Sequence, residues 1–434
     1  MNLAFETSTG LCNQVMYSVF VRQYSREGTF AKVEEDLDRI RALGVDVIWF
    51  LPIHPIGKKC RKGSLGSPYA IADYRAVNPE FGTLEDFRRL VAAIHARGMK
   101  CIIDVVYNHT SPDSWLAQNH PEWFYHKPDG SFGNRIGDWS DIIDLDYGNR
   151  ALWAYQIETL KFWAGIVDGF RCDVAPLVPL EFWLKAREEV EAVRPGCIWL
   201  SESVEPEFTA ANRARGMSSL SDAEIFRAFD ISYEYDVYGD WTRCLCGEET
   251  LAQYAEAVNR QECIYPGNYV KLRFMENHDR PRAAFMVPSP SARRNWTAFL
   301  YFQKGMTLLY NGQEASCEHR PSLFERDPID WRGGEDISKA LRALYEIRRH
   351  PLLREGSYHL ADAGHGVLRA EYRKDGKRLV GVFSTEGKPA LIRSGVPDGA
   401  YRNLISGETV LAEDGLLSVK GEPIVMEAEA APIS

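Results

Sequence analysis

Two patterns alternate along this chain. Short apolar runs suit strands buried on both faces. Between them lie stretches whose apolar residues recur every three or four positions, as on a helix with one buried face. MYSVFVRQY (16–24) reads as a strand, and residues 31–43 as a helix with Val33, Leu37, Ile40 and Leu43 on one face and Gly44 as its stop. VDVIWFLPI (45–53) is a second strand. Thr83 then opens a helix that places Leu84, Phe87, Leu90, Val91 and Ile94 on one side and ends near Gly98. KCIIDVVYN (100–108) is the third strand. Residues 110–147 break the rhythm with Pro, Asp, Asn, Gly and aromatic residues, too long for an ordinary loop, and predict a small inserted subdomain.

Alternation then resumes. Helices are expected at about 149–165, 179–193, 249–260, 291–304 and 337–349, and strands at 167–174, 197–203, 229–233, 269–277 and 306–312; residues 204–228 give no clear reading. About eight strand–helix units predict an α/β chain folded as a (β/α)8 TIM barrel over 1–351, with 110–147 as its insertion after the third strand. The rival, a doubly wound open sheet, usually carries a glycine-rich phosphate loop after its first strand, and this sequence has none. From 352 the pattern becomes strand–turn–strand, as in VLRAEYRKDGKRLVGVFST (367–385), so 352–434 is expected to be a C-terminal all-β, sandwich-like domain.

Composition narrows the function. Lys and Arg number 51 against 61 Asp and Glu, a formal net charge of −10, which argues against nucleic acid as a partner. No stretch approaches the roughly 20 apolar residues of a membrane span. The nine cysteines are scattered, with Cys101, Cys172 and Cys197 inside apolar runs, as expected of reduced buried thiols. Without a signal-peptide pattern at the N-terminus, the expected compartment is the cytoplasm. Nothing in the sequence fixes an oligomeric state. Twelve per cent aromatic residues suits stacking on sugar rings, and equally the filling of a large core.

Barrel active sites lie at the C-terminal ends of the strands. The second strand ends at His54, read as structural, ahead of a basic loop, GKKCRKGSLG (57–66), whose glycine spacing fits no phosphate loop and which reads as solvated and mobile. The third ends in DVVYNHT (104–110), the fourth in GFRCDVA (169–175), the fifth in IWLSES with Glu202, and the seventh in MENHD with Asn277, His278 and Asp279. Arg171 and Asp173 lie two apart on a strand and so face the same side; a guanidinium beside a carboxylate keeps it ionised and nucleophilic. Carboxylates at three strand ends supply what retaining glycoside hydrolysis needs: one to attack the anomeric carbon, one to protonate the leaving oxygen, one to hold the sugar.

These segments resemble the α-amylase family of retaining α-glucan enzymes. DVVYNHT, GFRCDVA, the region of Glu202 and ENHD (276–279) match four of the family's motifs; DLDYGN (144–149) matches a fifth, and SPYAIADY (67–74) the segment after the second strand. The resemblance implies Asp173 as nucleophile, Glu202 as general acid/base and Asp279 as transition-state stabiliser. It implies that Arg171 pairs with the nucleophile, that His109 and His278 bind sugar hydroxyls, that Tyr69 stacks on the sugar, and that Asp104 and Asn108 support the site. Many members carry Lys-His after the nucleophile, the His carbonyl and the Asn108 position sharing a calcium ion; here those two positions are Pro176 and Leu177, so no cofactor and no metal is expected. Ser203 follows Glu202 where members often have an apolar residue, which bears on leaving-group preference.

The expected activity is hydrolysis of α-1,4-glucosidic bonds in malto-oligosaccharides or starch-like glucans. The alternative is a transglycosylase or isomerase on the same scaffold, for example on trehalose or sucrose, which shares every catalytic residue. A non-catalytic barrel would need lost carboxylates, and none is lost. A zinc hydrolase could recruit His109, Asp173, His278 and Asp279, but it leaves the cation Arg171 beside metal ligands unexplained.

Overall fold

The computed structural model describes residues 6–137 and 139–429. Eight parallel strands form a closed barrel: β1 (Val15–Val19), β2 (Val47–Phe50), β3 (Lys100–Val105), β4 (Gly169–Cys172), β5 (Ile198–Ser201), β6 (Ile231–Tyr233), β7 (Val270–Arg273) and β8 (Met306–Tyr310). Their order round the barrel follows the chain, β1 closing on both β2 and β8. Each strand is shorter than its apolar run, because the run continues into the loop that leaves the barrel. Residues 21–24, read as strand, form a helical turn after β1. The expected helix at 31–43 is two short helices, Phe30–Glu35 and Leu37–Ala42, broken at Asp36. The 204–228 region and the stretch after β6 add helices Pro206–Ala214, Asp222–Ile225 and Tyr235–Leu245.

Local chemistry fixes several boundaries. Thr83 opens helix Leu84–Ala96 with a capping box: its hydroxyl accepts from the Asp86 N–H, and the Asp86 carboxylate accepts from the Thr83 N–H. Gly169 starts β4 where a Cβ would stand 2.2 Å from the Ile198 carbonyl oxygen, so only glycine lets β4 and β5 approach. The inserted segment holds a two-stranded ribbon, His109–Thr110 against Ile143–Asp144, and helix Trp115–Asn119.

By packing, the chain divides into two compact units. Of the described residues, one unit comprises 6–7, 16–233 and 321–330, and the other 8–15, 234–320 and 331–429. The first contains β1 from Met16 through β6; its core is lined by Trp49, Trp163, Trp183 and Trp199, all fully buried. The second contains β7, β8 and eight C-terminal strands: β9 (Ser357–Asp362), β10 (Val367–Lys374), β11 (Lys377–Ser384), β12 (Ala390–Arg393), β13 (Gly399–Arg402), β14 (Thr409–Glu413), β15 (Leu416–Val419) and β16 (Ile424–Glu429). These make two four-stranded sheets, β9-β10-β11-β16 and β12-β15-β14-β13. Val380, Val382, Ile392, Leu417 and Met426 fill the space they enclose. No helix of the described residues is long and apolar enough to cross a membrane.

Candidate active site

The site is built outward from β3 and β4. Their register sets Asp104 directly beside Arg171. The ladder continues past the strands: the Asp173 N–H donates to the Val105 carbonyl, and the Glu202 N–H to the Cys172 carbonyl. Asp173 and Glu202 are therefore held by main chain at the ends of β4 and β5, with Asp173 on the same face as Arg171.

Arg171 is fully buried and organises the carboxylates. Its Nη1 donates to Asp104 at 2.9 and 3.0 Å and to Asp173 Oδ1 at 2.8 Å. Its Nη2 lies 2.8 Å from Glu202 Oε1 as an ion pair. The guanidinium also sits 5.3–5.6 Å from the ring centres of Trp49, Tyr69 and Tyr233. Burial alone would push its pKa down; Asp104 and Glu202 outweigh that and hold it well above the ordinary value. Glu202 Oε2 accepts from the Val174 N–H at 2.8 Å. Val174, directly after Asp173, has φ +35°, an unfavourable conformation for a β-branched residue, and it is this turn that points its N–H at Glu202.

Tyr69 and His109 complete this cluster. The Tyr69 hydroxyl donates to Asp104 at 3.1 Å. His109 Nε2 lies 3.9 Å from Asp173 Oδ2, and its Nδ1 is 3.2 Å from the Asn108 amide nitrogen. An amide N–H can only donate, so Nδ1 is the acceptor and the ring proton is assigned to Nε2, on the Asp173 side. Burial lowers the His109 pKa to about 4, against an opposing pull from Asp141, so the ring is neutral at ordinary pH. Trp139 packs at 5.5 Å against the His109 ring. In the other unit, His278 and Asp279 follow β7: His278 Nε2 is 3.0 Å from Asp279 Oδ2, and the Asn277 side-chain oxygen accepts from the Asp279 and Arg280 N–H groups. Arg320 donates to the Asp279 carbonyl.

Sequence reasoning missed Trp49, Tyr233, Trp139 and the Val174 turn. Trp49 and Tyr233 sit in apolar runs and read there as core. The basic loop 57–66 is exposed at Lys58, Lys59, Cys60, Gly63 and Ser64, as a solvated loop is, and it is also tethered: Asp113 accepts from the Lys58 and Lys59 N–H groups, Glu325 binds Ser64, and Lys62 pairs at 3.0 Å with the buried Asp141. His54 is buried at a distance from these carboxylates, donating to the Ala76 carbonyl and packed on Trp163, in keeping with a structural role.

The family's calcium position can be tested on the residues present. Asn108, Asp144 and Leu177 line a cavity of about 350 Å³. The Arg135 guanidinium stands there too, with Nη1 3.7 Å from Asp144 Oδ2, and the Arg135 N–H donates to the same oxygen. Asp144 Oδ1 has no hydrogen-bond partner, and burial, only partly offset by Arg135, raises its pKa to about 6. A carboxylate that already faces a fixed cation is a poor match to the shell of six to eight oxygen ligands that calcium takes. Among the described residues, no cluster of three or more His, Cys, Asp or Glu side chains could hold a metal ion.

Comparison with known proteins agrees with the motifs. The family described as "Alpha amylase, catalytic domain" matches residues 5–356, and "Bacterial Alpha amylase C-terminal domain" matches 359–426. Among solved structures, an α-amylase from Lactobacillus plantarum is 47% identical, with a TM-score of 0.95 over 97% of this chain and 100% of that one. A noncanonic maltogenic α-amylase from Thermotoga neapolitana is 32% identical, with a TM-score of 0.86 over 97% of this chain and 100% of that one. Among curated relatives, the α-1,4-glucan:maltose-1-phosphate maltosyltransferases of Burkholderia pseudomallei and Pseudomonas aeruginosa are 38% and 30% identical, each over 77% of this chain but only 31% and 52% of their own lengths. The chain thus spans about a third to a half of these relatives. It belongs to the α-amylase family.

Proposed function

We propose that this member of the α-amylase family acts on α-1,4-linked malto-oligosaccharides by a retaining double displacement and passes the glycosyl unit to a sugar hydroxyl. The observation that carries the reading is one guanidinium, Arg171, shared by Asp173 and Glu202. Two carboxyls on one guanidinium sit close. That suits the roughly 5–5.5 Å separation of retaining chemistry rather than the roughly 6.5–9.5 Å that leaves room for an inverting water.

In this reading Asp173, kept ionised by Arg171, attacks the anomeric carbon. Glu202 gives a proton to the departing glycosidic oxygen. The covalent glycosyl–Asp173 ester then meets the acceptor hydroxyl; Glu202 takes its proton back, and the new bond forms with the configuration of the old one. Asp279 stabilises the flattened, positively charged ring in the transition state of each step. Tyr69 stacks on that ring. His109, neutral with its proton on Nε2, donates to a sugar hydroxyl, and His278 binds another. Asp104 holds Arg171 and Tyr69, and Asn108 fixes the His109 tautomer. No calcium is needed, Arg135 serving as the cation beside Asp144.

Transfer to a sugar is the reading supported by the maltosyltransferase names of the curated relatives. Hydrolysis is the second reading, favoured by the 47% identity with an α-amylase along nearly the whole chain. Incubation with maltotriose separates them. Transfer gives maltotetraose and longer sugars together with shorter ones, whereas hydrolysis gives shorter sugars only. Proton NMR of the first product tests the mechanism common to both: release of the β-anomer refutes retention.

A further inference from the structure

We infer a second carbohydrate-binding site, a stacking platform on Trp115 that holds an α-glucan chain outside the catalytic pocket. The inference rests on the reading that the enzyme acts on α-glucans. Among the described residues Trp115 is the one exposed tryptophan, at 43%. It opens helix Trp115–Asn119, with Ser114 as cap, and its main-chain N–H donates to the Ala72 carbonyl. Ala72 lies in the 67–74 segment that brings Tyr69 to the site, and Trp115 lies five residues beyond the Thr110 end of the ribbon that carries His109. The ring thus stands on the same two segments that line the pocket.

The ring is held flat from below. Tyr155 stacks on it at 5.7 Å and 14°. Tyr155 is in turn covered by Arg75 at 4.2 Å, whose Nε donates to Thr159. His120 stands against the indole at 58° and stacks on Trp123 at 3.8 Å and 5°. The indole is thus stacked on Tyr155 while the residue stays 43% exposed. It is a preorganised surface, which spares a ligand the cost of ordering it.

The chemistry selects the occupant. A protein partner needs a contiguous apolar patch of several hundred Å². Here a single indole is bordered by Gln118, Asn119 and Glu122, all exposed. A pyranose ring matches this: its C–H face is the size of an indole, and its hydroxyls reach outward to amides and a carboxylate. The platform is therefore one for neutral sugar, and the α-glucan on which the pocket acts is the sugar at hand.

Native gels cast with soluble starch test this, run on the Asp173→Asn protein so that the polymer is not consumed, with or without Trp115→Ala. Aromatic stacking on flat rings is commonly worth about a factor of ten or more per contact. Trp115→Ala should therefore weaken retardation by starch about tenfold, while kcat/KM on maltotriose, in the otherwise unaltered enzyme, stays within about twofold. Retardation as strong as that of the parent overturns the platform. If Trp115→Ala does not fold, Trp115→Leu, which keeps apolar packing on Tyr155 but has no aromatic face, decides: weaker retardation supports the platform, unchanged retardation refutes it. Failure of the unaltered enzyme to convert maltotriose or starch would instead overturn the proposed function, so the two failures are distinct.

Discussion

Replacing Arg171 by Met removes one cation from a dry cage of three carboxylates. Met has a stem of similar length, so the perturbation is electrostatic more than steric. Asp104 is fully buried, and Asp173 and Glu202 are 6% and 8% exposed, so little water can take the cation's place. Breaking a buried pair from one side generally costs roughly 3–5 kcal/mol, and here three partners are stranded at once, so a loss at the upper end of that range is expected at pH 7.5. The sign with pH is a sharper test. The wild-type guanidinium has its pKa raised well above its ordinary value, so its stabilisation is present at every pH below that value and is lost only in strong alkali. The variant instead holds buried, mutually repelling carboxylates, whose protonation relieves the strain as pH falls. The stability gap between the two proteins should therefore narrow steadily from pH 7.5 to pH 4.5. Urea unfolding followed by tryptophan fluorescence at a series of pH values reads it directly. A gap below about 1 kcal/mol at pH 7.5, or one that does not change with pH, would refute the account of Arg171 as the hub of the site. Arg171→Lys should recover only part of the loss, because a point charge cannot reach Asp104, Asp173 and Glu202 together.

Glu202→Gln should nearly abolish cleavage of maltotriose yet spare the first step on a glycosyl fluoride, whose leaving group needs little protonation; near wild-type turnover of maltotriose by the folded variant would remove Glu202 from the mechanism. Chelation should leave activity and the unfolding temperature unchanged, with Arg135 as the cation beside Asp144; inactivation reversed by calcium alone would show the opposite. His54 is fully buried, and burial lowers its pKa from 6.5 to about 4. Its contribution is intact above pH 6.5 and is lost as pH falls toward 4, by about 3 kcal/mol in all. His54→Asn, which keeps a donor for the Ala76 carbonyl, should flatten that part of the acid slope, and an unchanged slope of stability against pH would contradict it.

The barrel was legible because each parallel strand is buried on both faces and so leaves an uninterrupted apolar run, as in VDVIWFLPI. What the runs could not show is where pairing stops. The apolar character continues through Leu51, whose N–H still donates to the Val19 carbonyl of β1, to Ile53, whose carbonyl accepts from the loop residue Asn78. The break at Asp36 was hidden for a related reason: the Val33, Leu37, Ile40 spacing is the same whether the helix is continuous or kinked. The helices at 206–214 and 235–245 escaped notice because their buried faces are narrow or carry tyrosines, and Tyr235, Tyr238 and Trp241 read as easily for a loop near a sugar site.

The charged half of the site was legible and the aromatic half was not, and the reason is physical. A carboxylate or guanidinium in an apolar strand is expensive unless paired, so Asp104, Arg171, Asp173 and Glu202 each announce a partner. Trp49 and Tyr233 are as essential to the cage, lying within 5.3–5.5 Å of the Arg171 guanidinium carbon, yet an aromatic ring in a buried strand costs nothing and signals nothing. The Glu202 contacts carry the same lesson further. The sequence pairs Arg171 with Asp173 alone. The structure also gives the two oxygens of Glu202 the Arg171 guanidinium and the Val174 N–H, both of which favour the charged form. For Glu202 to act as an acid, the sugar must therefore draw it away from at least one of these donors. The strained Val174 turn is the one to yield, because releasing it relaxes the backbone, whereas Arg171 is held in place by Asp104 and Asp173 on its other nitrogen. In the proposed mechanism, proton transfer is thus coupled to movement of the segment that carries Asp173.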